Sequence, residues 1–289
     1  MASLRDSFQT FLDRWPDDLA TGWRGVVGNA VPDLGVVGPA LTLEPNETIF
    51  PGRKNRPPTG ARADAYVFRA LDQIEPSRVR AVVLGQDPYP KSSRATGRAF
   101  EQGDLPEWSP AKSAVAESLR RIVQALAHAR TGEPRYIDGD AAWGPLVGDI
   151  KNGQLQIPPP RQLFDQWQER GIVFLNAGLT LSRFQPEVQK AHIALWRPVV
   201  KAILTHLATR TDGHIVFILW GQVAQRTFDD LGVLAAANAA GTQHRVARAV
   251  HVHPGAEGAG GKPLFFNPPN PLREAAERLA AIGGGKLDW

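Results

Sequence analysis

Three side chains of different chemistry stand at the ends of apolar runs that lie far apart in the sequence. The carboxylate of Asp87 follows the run 79–84, the amide of Asn176 ends the run 172–176, and the imidazole of His253 follows the run 246–252. A carboxylate can orient a water molecule and stabilise positive charge on a nearby carbon atom. An amide offers both a hydrogen-bond acceptor and a donor, and an imidazole can donate to an oxygen on which negative charge develops. We therefore treat the three positions as candidates for one site.

The apolar runs also predict the element that would bring these side chains together. The runs 79–84, 172–176, 214–220 and 246–252 are short, nearly continuously apolar and alternate with helical patterns. That pattern is typical of a parallel sheet covered by helices on both faces. We predict an α/β fold, a three-layer α/β/α domain with a central four-stranded parallel sheet. Because ligands bind beyond the carboxyl ends of such strands, the three side chains and the pair Gly221-Gln222 are expected to meet at one edge.

The remaining sequence suggests how the chain is divided. Residues 1–60 contain one amphipathic pattern, over 4–15, and then many prolines, so we expect an N-terminal helix and an irregular extension packed on the core. Residues 61–289 are expected to form the catalytic domain. Within it, residues 131–160 look like a Gly/Pro-rich connector. Helices are predicted over 63–74, 113–129, 162–170, 190–207, from 222 onward, and 271–282.

Composition limits the classes of function. The chain has 289 residues and no cysteine, which excludes disulfides, thiolate catalysis and cysteine-ligated zinc. Its formal net charge of +4 is compatible with a polyanionic partner but does not identify one. No apolar run approaches the roughly 20 residues that span a bilayer, and the first residues lack the apolar core of a secretory signal. We expect a cytoplasmic protein with no membrane partner.

Five short motifs occur in an order and at spacings that resemble family 1 uracil-DNA glycosylases. The resemblance covers roughly residues 60–289, and Phe100 stands at the family's distance from the first motif. The motifs are Gly85-Gln86-Asp87-Pro88-Tyr89, Phe174-Leu175-Asn176-Ala177, Leu219-Trp220-Gly221, His251-Val252-His253-Pro254 and the terminal Leu287-Asp288-Trp289.

The resemblance implies a role for each candidate side chain. Asp87 and His253 would be catalytic, with Asp87 placing a water molecule and His253 bonding uracil O2. Phe100 would stack on the uracil face and Asn176 would bond its polar edge, N3–H and O4. Tyr89 would block the 5-methyl group of thymine, and Gln86 would complete the uracil pocket. The family's reaction is monofunctional hydrolysis that needs no cofactor and no metal.

Each of these residues also has a simpler interpretation. Asp-Pro pairs often do no more than form turns, an asparagine at a strand end commonly does the same, and Tyr89 or Phe100 could simply pack. A His-x-His pair such as His251 and His253 points to one side of an extended strand and could bind a metal ion, although no third ligand is evident nearby. The order and spacing of the motifs, rather than any single residue, favour the glycosylase interpretation.

The sequence departs from the family where DNA would be held. Pro90 replaces a histidine that helps to hold a phosphate, and Gln222 replaces a small residue. Glu257 stands where the family has the leucine that enters the gap left by the flipped base, within a glycine-rich stretch expected to be flexible. The residues expected to contact DNA are Pro90, Ser113, Gly221, Gln222, Pro254, Gly255 and Glu257.

The prediction is therefore a monomeric uracil-DNA glycosylase that acts on uracil in single- or double-stranded DNA and releases free uracil. Lys91, just past the first motif, is the nearest amine that could form a Schiff base instead. Because the loop after His253 differs, a weakly catalytic or non-catalytic binder of uracil or abasic sites in DNA is the alternative. A glycosylase for other damaged bases is a third possibility, against which Tyr89 and Asn176 argue.

Overall fold

A parallel four-stranded sheet forms the centre of the molecule, which is represented by a computed structural model that describes residues 2–289. In chain order the strands are β1 (Ala2–Ser3), β2 (Thr42–Leu43), β3 (Ala81–Gly85), β4 (Ile172–Asn176), β5 (Ile215–Trp220) and β6 (Val246–His251). The order of the strands in the central sheet is β4-β3-β5-β6, and all neighbouring pairs are parallel. Strands β1 and β2 form a separate antiparallel pair of two residues each.

Helices cover both faces of this sheet. Alternate residues of β3 face opposite layers, with Val82 and Leu84 in one hydrophobic core and Ala81 and Val83 in the other. The first core contains α1, α2, α6, α7 and α8, and the second contains α3, α4, α5 and α9. The predicted three-layer α/β/α fold is therefore confirmed. The helices are α1 (Leu4–Phe11), α2 (Thr21–Val27), α3 (Glu117–Thr131), α4 (Trp143–Lys151), α5 (Pro160–Glu169), α6 (Pro186–Thr209), α7 (Gln222–Asp230), α8 (Val233–Ala239) and α9 (Pro271–Ala281).

The N-terminal segment, residues 2–60, shares its core with α6. Phe8 and Trp23 are fully buried, and the ring of Trp15 lies 6.1 Å from that of Trp196. The indole Nε1 of Trp23 donates to the carbonyl oxygen of Ile74 at 2.7 Å. Large aromatic surfaces are thus buried between this segment and the rest of the chain, which favours folding as one unit.

The helix predicted over 63–74 is wrong. That segment contains only a single 3₁₀ turn, Arg69–Leu71. Its backbone donors bond to distant segments instead, Tyr66 N–H to the carbonyl of Thr96 and Val67 N–H to that of Gly52. These tertiary bonds replace the helical ones.

The sequence analysis did not predict two of the helices, both of which lie in segments rich in glycine or proline. The first is α2, and the second is α4, which begins inside the predicted connector despite Gly144 and Pro145. Buried Trp143, Leu146 and Val147 hold α4 against the core. Packing of one apolar face therefore outweighs the low helix propensity of glycine and proline.

Within residues 2–289, none of the helices is long and apolar enough to cross a membrane.

Candidate active site

A cavity of about 310 Å³ lies at the carboxyl edge of the sheet, where the sequence predicts a site. Seven of the predicted site residues line it: Gln86, Asp87, Tyr89, Pro90, Phe100, Asn176 and His253. Arg98, Ser118 and Phe184 line it as well. A wider cleft of about 650 Å³ lies elsewhere, between residues 134–140 and 261–268, and no predicted site residue lines it. We therefore take the smaller cavity as the candidate active site, because the predicted site residues line it.

Asp87 lies two residues beyond the end of β3 and is held by a side chain from another layer. The amide nitrogen Nε2 of Gln189, in the second turn of α6, donates to Oδ2 of Asp87 at 2.5 Å. Burial raises the pKa of Asp87 above its ordinary value, and hydrogen bonds from the side chains of Gln189 and Gln86 oppose that rise. The hydrogen bond from Gln189 thus fixes one carboxylate oxygen, Oδ2.

Asn176 ends β4 beside β3, with only 2% of its surface exposed. The strand ladder continues past it, because Ala177 N–H donates to the carbonyl of Gly85 at 2.9 Å. Gly85 leaves room for the amide: a Cβ at this position would lie 2.4 Å from Asn176 Oδ1. No side chain larger than hydrogen fits at Gly85 without moving Asn176, so these two residues together shape the floor of the cavity.

Tyr89 and Phe100 form a connected aromatic wall. The hydroxyl of Tyr89 donates to the carbonyl oxygen of Phe100 at 3.3 Å and lies 3.0 Å from Oγ of Ser118. Burial raises the pKa of Tyr89 to about 12, so the phenol stays protonated. Phe100 has a φ of +62°, a left-handed conformation that is uncommon for a residue with a side chain. Its ring centroid lies 5.9 Å from that of Trp220.

A buried ionic network supports the segment that carries Phe100. Glu101 is fully buried and contacts three guanidinium groups, those of Arg62 at 2.9 Å, Arg69 at 3.4 Å and Arg98 at 3.7 Å. Burial alone would raise the pKa of Glu101, but the positive charges of Arg98, Arg62 and Arg69 together hold it below the ordinary value. Removing one partner from such a network typically costs about 3–5 kcal/mol, so the unusual backbone at Phe100 has a firm support.

His253 presents a defined nitrogen to the cavity. The backbone N–H of Gly255 donates to Nδ1 of His253 at 3.0 Å, so the neutral imidazole carries its proton on Nε2. Although the residue is exposed as a whole, its ring lies 6.1 Å from that of Phe100, centroid to centroid. Desolvation there lowers its pKa, and the charge of Arg121 acts in the same direction. The ring is therefore neutral near pH 7 and can donate from Nε2.

Gly221 lies directly against this histidine. With a φ of +92°, it has a conformation that side-chain residues rarely adopt, and a Cβ there would lie 2.8 Å from the Cβ of His253. The predicted site therefore includes Gly221 as a close backbone neighbour of His253.

His253 lines the cavity, whereas His251 does not. Strand β6 ends at His251, and Nε2 of His251 donates to the carbonyl oxygen of Phe265 at 3.1 Å. Among residues 2–289, no cluster of three or more His, Asp or Glu side chains is arranged to hold a metal ion.

Comparison with known proteins finds relatives that are similar to this chain in sequence. A uracil-DNA glycosylase of Porphyromonas gingivalis is 34% identical over 161 residues, which cover 56% of this chain and 58% of the relative. One of Leuconostoc mesenteroides is 28% identical over 252 residues, 86% of each protein. The chain is thus similar in sequence to uracil-DNA glycosylases. It spans only a little over half of the Porphyromonas relative. No family model matches the sequence.

Solved structures of uracil-DNA glycosylases have the same fold. Mimivirus uracil-DNA glycosylase superposes with a TM-score of 0.61 at 17% identity, covering 100% of this chain and 94% of the other. The wild-type UNG of Nitratifractor salsuginis gives a TM-score of 0.58 at 20% identity, covering 100% of each chain.

The loop after His253 is bound to α3 through Arg121. Arg121 is fully buried, donates to the carbonyl oxygens of Pro254 at 3.1 Å and Ala256 at 3.3 Å, and pairs with Oε1 of Glu257 at 2.6 Å. Glu117 contacts the same guanidinium. The carboxylate of Glu257 is therefore held back by a cation rather than left free to face DNA.

The glycine-rich stretch is also more ordered than its composition predicts. Glu257 forms an antiparallel β-bridge with Pro263. The backbone N–H of Gly258 donates to the carbonyl oxygen of Lys262 at 2.9 Å, and that of Leu264 donates to the carbonyl oxygen of Ala256 at 3.0 Å. The segment is a closed loop stabilised by its own backbone hydrogen bonds.

The other residues expected to contact DNA differ in their exposure and in whether they line the cavity. Pro90 lines the cavity and is exposed, whereas Pro254 is buried. Gln222 is exposed at the start of α7. Ser113 is exposed on the short 3₁₀ turn Lys112–Ala114 and does not line the cavity. Their contacts with DNA stay predictions.

Sequence reasoning missed four residues that shape this site: Gln189, Arg121, Ser118 and Phe184. The first three act through partners that are at least 29 positions away in the chain, Gln189 with Asp87, Arg121 with Glu257 and Ser118 with Tyr89. No local motif marks such pairs. Phe184 was the exception, because an aromatic residue next to Gln185-Pro186-Glu187 in a polar stretch is a visible signal.

Proposed function

We propose that this protein is a monofunctional uracil-DNA glycosylase, which hydrolyses the N-glycosidic bond of deoxyuridine in DNA and leaves an abasic site for base excision repair. The observation that carries the proposal is the meeting of Asp87, Phe100, Asn176 and His253 at one cavity. The similarity in sequence to uracil-DNA glycosylases supports it. We further propose that the chain acts as a monomer, accepts single- and double-stranded DNA and releases free uracil.

Recognition of the base would use three walls of the cavity. The ring of Phe100 stacks on the face of the flipped base. The amide of Asn176 accepts from N3–H and donates to O4, and cytosine presents the opposite pattern at this edge. Tyr89 stands where the 5-methyl group of thymine would lie. These contacts together select uracil.

Hydrolysis would use the two groups with defined orientation. As the bond between C1′ and N1 breaks, its electron pair passes to uracil and negative charge develops at O2, to which Nε2–H of His253 donates. The carboxylate of Asp87 stabilises the cationic sugar and orients a water molecule whose oxygen bonds to C1′. The water proton passes to Asp87 and then to solvent, so uracil leaves as its anion.

The test is excision by Asp87→Asn in EDTA, with abasic sites revealed by alkaline strand scission. We expect the rate to fall by roughly two to four orders of magnitude, because one charge and a water acceptor are lost. Fold and DNA binding should be retained, and the matched control Asp230→Asn, on the exposed end of α7, should behave like the wild type. An unchanged rate in Asp87→Asn would overturn this role. Tight binding of abasic DNA without scission by the wild type would favour the non-catalytic alternative.

A further inference from the structure

Phe184 is exposed at the mouth of the cavity, a position that costs free energy unless a partner covers it. It lies between β4 and α6, has 63% of its surface exposed and lines the cavity with Asp87 and Pro90. The other large apolar residues that are exposed within residues 2–289 are valines: Val31, Val36, Val223, Val250 and Val252. An aromatic ring beside a base-binding cavity offers a flat apolar surface for another ring.

On the opposite side of the mouth, the loop after His253 has no free apolar side chain. Glu257 is paired with Arg121. Phe265 is fully buried against Trp220, with ring centroids 5.2 Å apart. Leu264 packs over Gly258, where a Cβ would lie 2.9 Å from its Cδ2. In the part of the chain that the structure describes, this loop therefore offers nothing that could replace lost base stacking.

The strand order separates the two sides. Phe184 follows β4 at one edge of the sheet and His253 follows β6 at the other, with β3 and β5 between them. Because Phe184 lines the same cavity as Asp87 and His253, a nucleotide next to a uridine bound there would come within reach of Phe184.

We propose that Phe184 stacks on the nucleobase next to the flipped uridine, which makes the mouth of the cavity a second base-binding position. The proposal rests on the proposed binding of uracil-containing DNA. Stacking of one base on one aromatic side chain changes affinity by about 5- to 150-fold. It is tolerant of sequence, because every base has a π-face, and it requires that the neighbouring base be unpaired or displaced.

Exposed charged side chains of both signs lie near Phe184. Lys91 and Lys190 are exposed on either side of the cavity rim, next to Pro90 and Gln189. They would attract backbone phosphates. Glu187 lies in the same turn of α6 as Lys190 and reduces this attraction.

The experiment measures the affinity of single-stranded oligonucleotides that contain 2′-fluoro-2′-deoxyuridine, in which the electron-withdrawing fluorine slows cleavage. Wild type, Phe184→Ala, Phe184→Trp and the control Val31→Ala are titrated; Val31 is 64% exposed and does not line the cavity. We expect Phe184→Ala to bind about 5- to 150-fold more weakly, and Phe184→Trp and Val31→Ala to bind like the wild type.

The same titration with an abasic spacer 5′ or 3′ of the uridine identifies the stacking partner. One of the two spacers should weaken binding by the wild type and leave Phe184→Ala unaffected. Equal losses in both proteins, or wild-type affinity in Phe184→Ala, would overturn the inference. Excision of ordinary deoxyuridine is measured separately, so a wild type that binds but does not excise refutes the proposed function alone. A wild type that does not bind overturns both.

Discussion

At the scale of single residues, burial and the hydrogen bonds from Gln189 and Gln86 together set the protonation of Asp87. Burial raises the pKa of Asp87, yet the proposed reaction needs its carboxylate ionised. The Gln189 amide donates to that carboxylate, so it stabilises the ionised form over the protonated one. Gln189 is thus a positioning residue that acts through Asp87, and its influence should appear in the pH dependence of the rate.

We predict that Gln189→Ala moves the acid limb of the excision rate to higher pH. Activity requires ionised Asp87 and is lost as pH falls through its pKa, so loss of a donor that lowers this pKa makes the loss begin earlier. The measurement is the single-turnover rate between pH 4 and pH 9 for wild type, Gln189→Ala and Gln185→Ala, a control in the same segment with an exposed side chain. An unshifted acid limb with a uniformly lower rate would assign Gln189 a purely structural role.

The sequence predicted the residues that end strands but not their partners. Asp87, Asn176 and His253 were predictable because parallel strands bring their carboxyl ends to one edge, wherever they occur in the chain. Gln189 lies 102 residues from Asp87, and its position depends on how α6 packs on the sheet. Nothing in the spacing of residues indicates that packing.

At the scale of elements, α3 and the loop after His253 act as one unit. Arg121 of α3 binds two loop carbonyls and the carboxylate of Glu257. The Glu257 side chain is still 46% exposed, so its pairing contributes at most about 1 kcal/mol after screening by solvent. The loop can therefore keep its backbone contacts with Arg121 when the side chain at position 257 is changed.

We predict that Glu257→Leu raises the ratio of duplex to single-strand excision, because an apolar side chain freed from Arg121 can enter the stack left by the flipped base. Glu257→Gln, which keeps the length and an acceptor for Arg121, should leave the ratio unchanged. Single-turnover rates on matched single- and double-stranded oligonucleotides give this ratio. If Glu257→Leu does not change it, position 257 does not face the gap.

Predicted elements failed where tertiary contacts outweighed local preference. Strands and long helices were found within a few residues of their predicted ends, because burial on one or both faces is visible in the pattern of apolar residues. The segment 63–74 has such a pattern too, but it folds as a series of turns around the 3₁₀ turn Arg69–Leu71, and Arg62 and Arg69 form ion pairs with Glu101. Those pairs join residues more than 30 positions apart and leave no local signal.

At the scale of the whole molecule, the N-terminal segment supports the active site through α6. The ring of Phe8 lies 4.8 Å from that of His192. Burial lowers the pKa of His192 to about 3, so it is neutral, and its ring nitrogens bond Thr180 at 2.8 Å and Ser182 at 3.0 Å. These bonds fix the start of the loop that leads to Phe184. Residues 2–60 therefore contribute to the position of both Gln189 and Phe184, and we propose that they fold together with residues 61–289.

We predict that Trp23→Ala lowers the free energy of unfolding of the entire molecule by about 3–5 kcal/mol, because it removes a fully buried indole and leaves a cavity. Its loss also leaves the carbonyl of Ile74 without the indole donor. Unfolding in urea is followed by tryptophan fluorescence, by far-UV circular dichroism and by excision activity. If the segment and the sheet form one cooperative unit, the three signals change at one midpoint, and Trp23→Ala moves that midpoint for all of them.

The control is Val31→Ala, a substitution at an exposed residue of the same segment, which should change the free energy of unfolding by less than about 0.5 kcal/mol. In Trp23→Ala, the fluorescence could instead change at a lower urea concentration while the circular dichroism and activity transitions keep their midpoints. That result would mean that residues 2–60 unfold independently of the rest of the molecule.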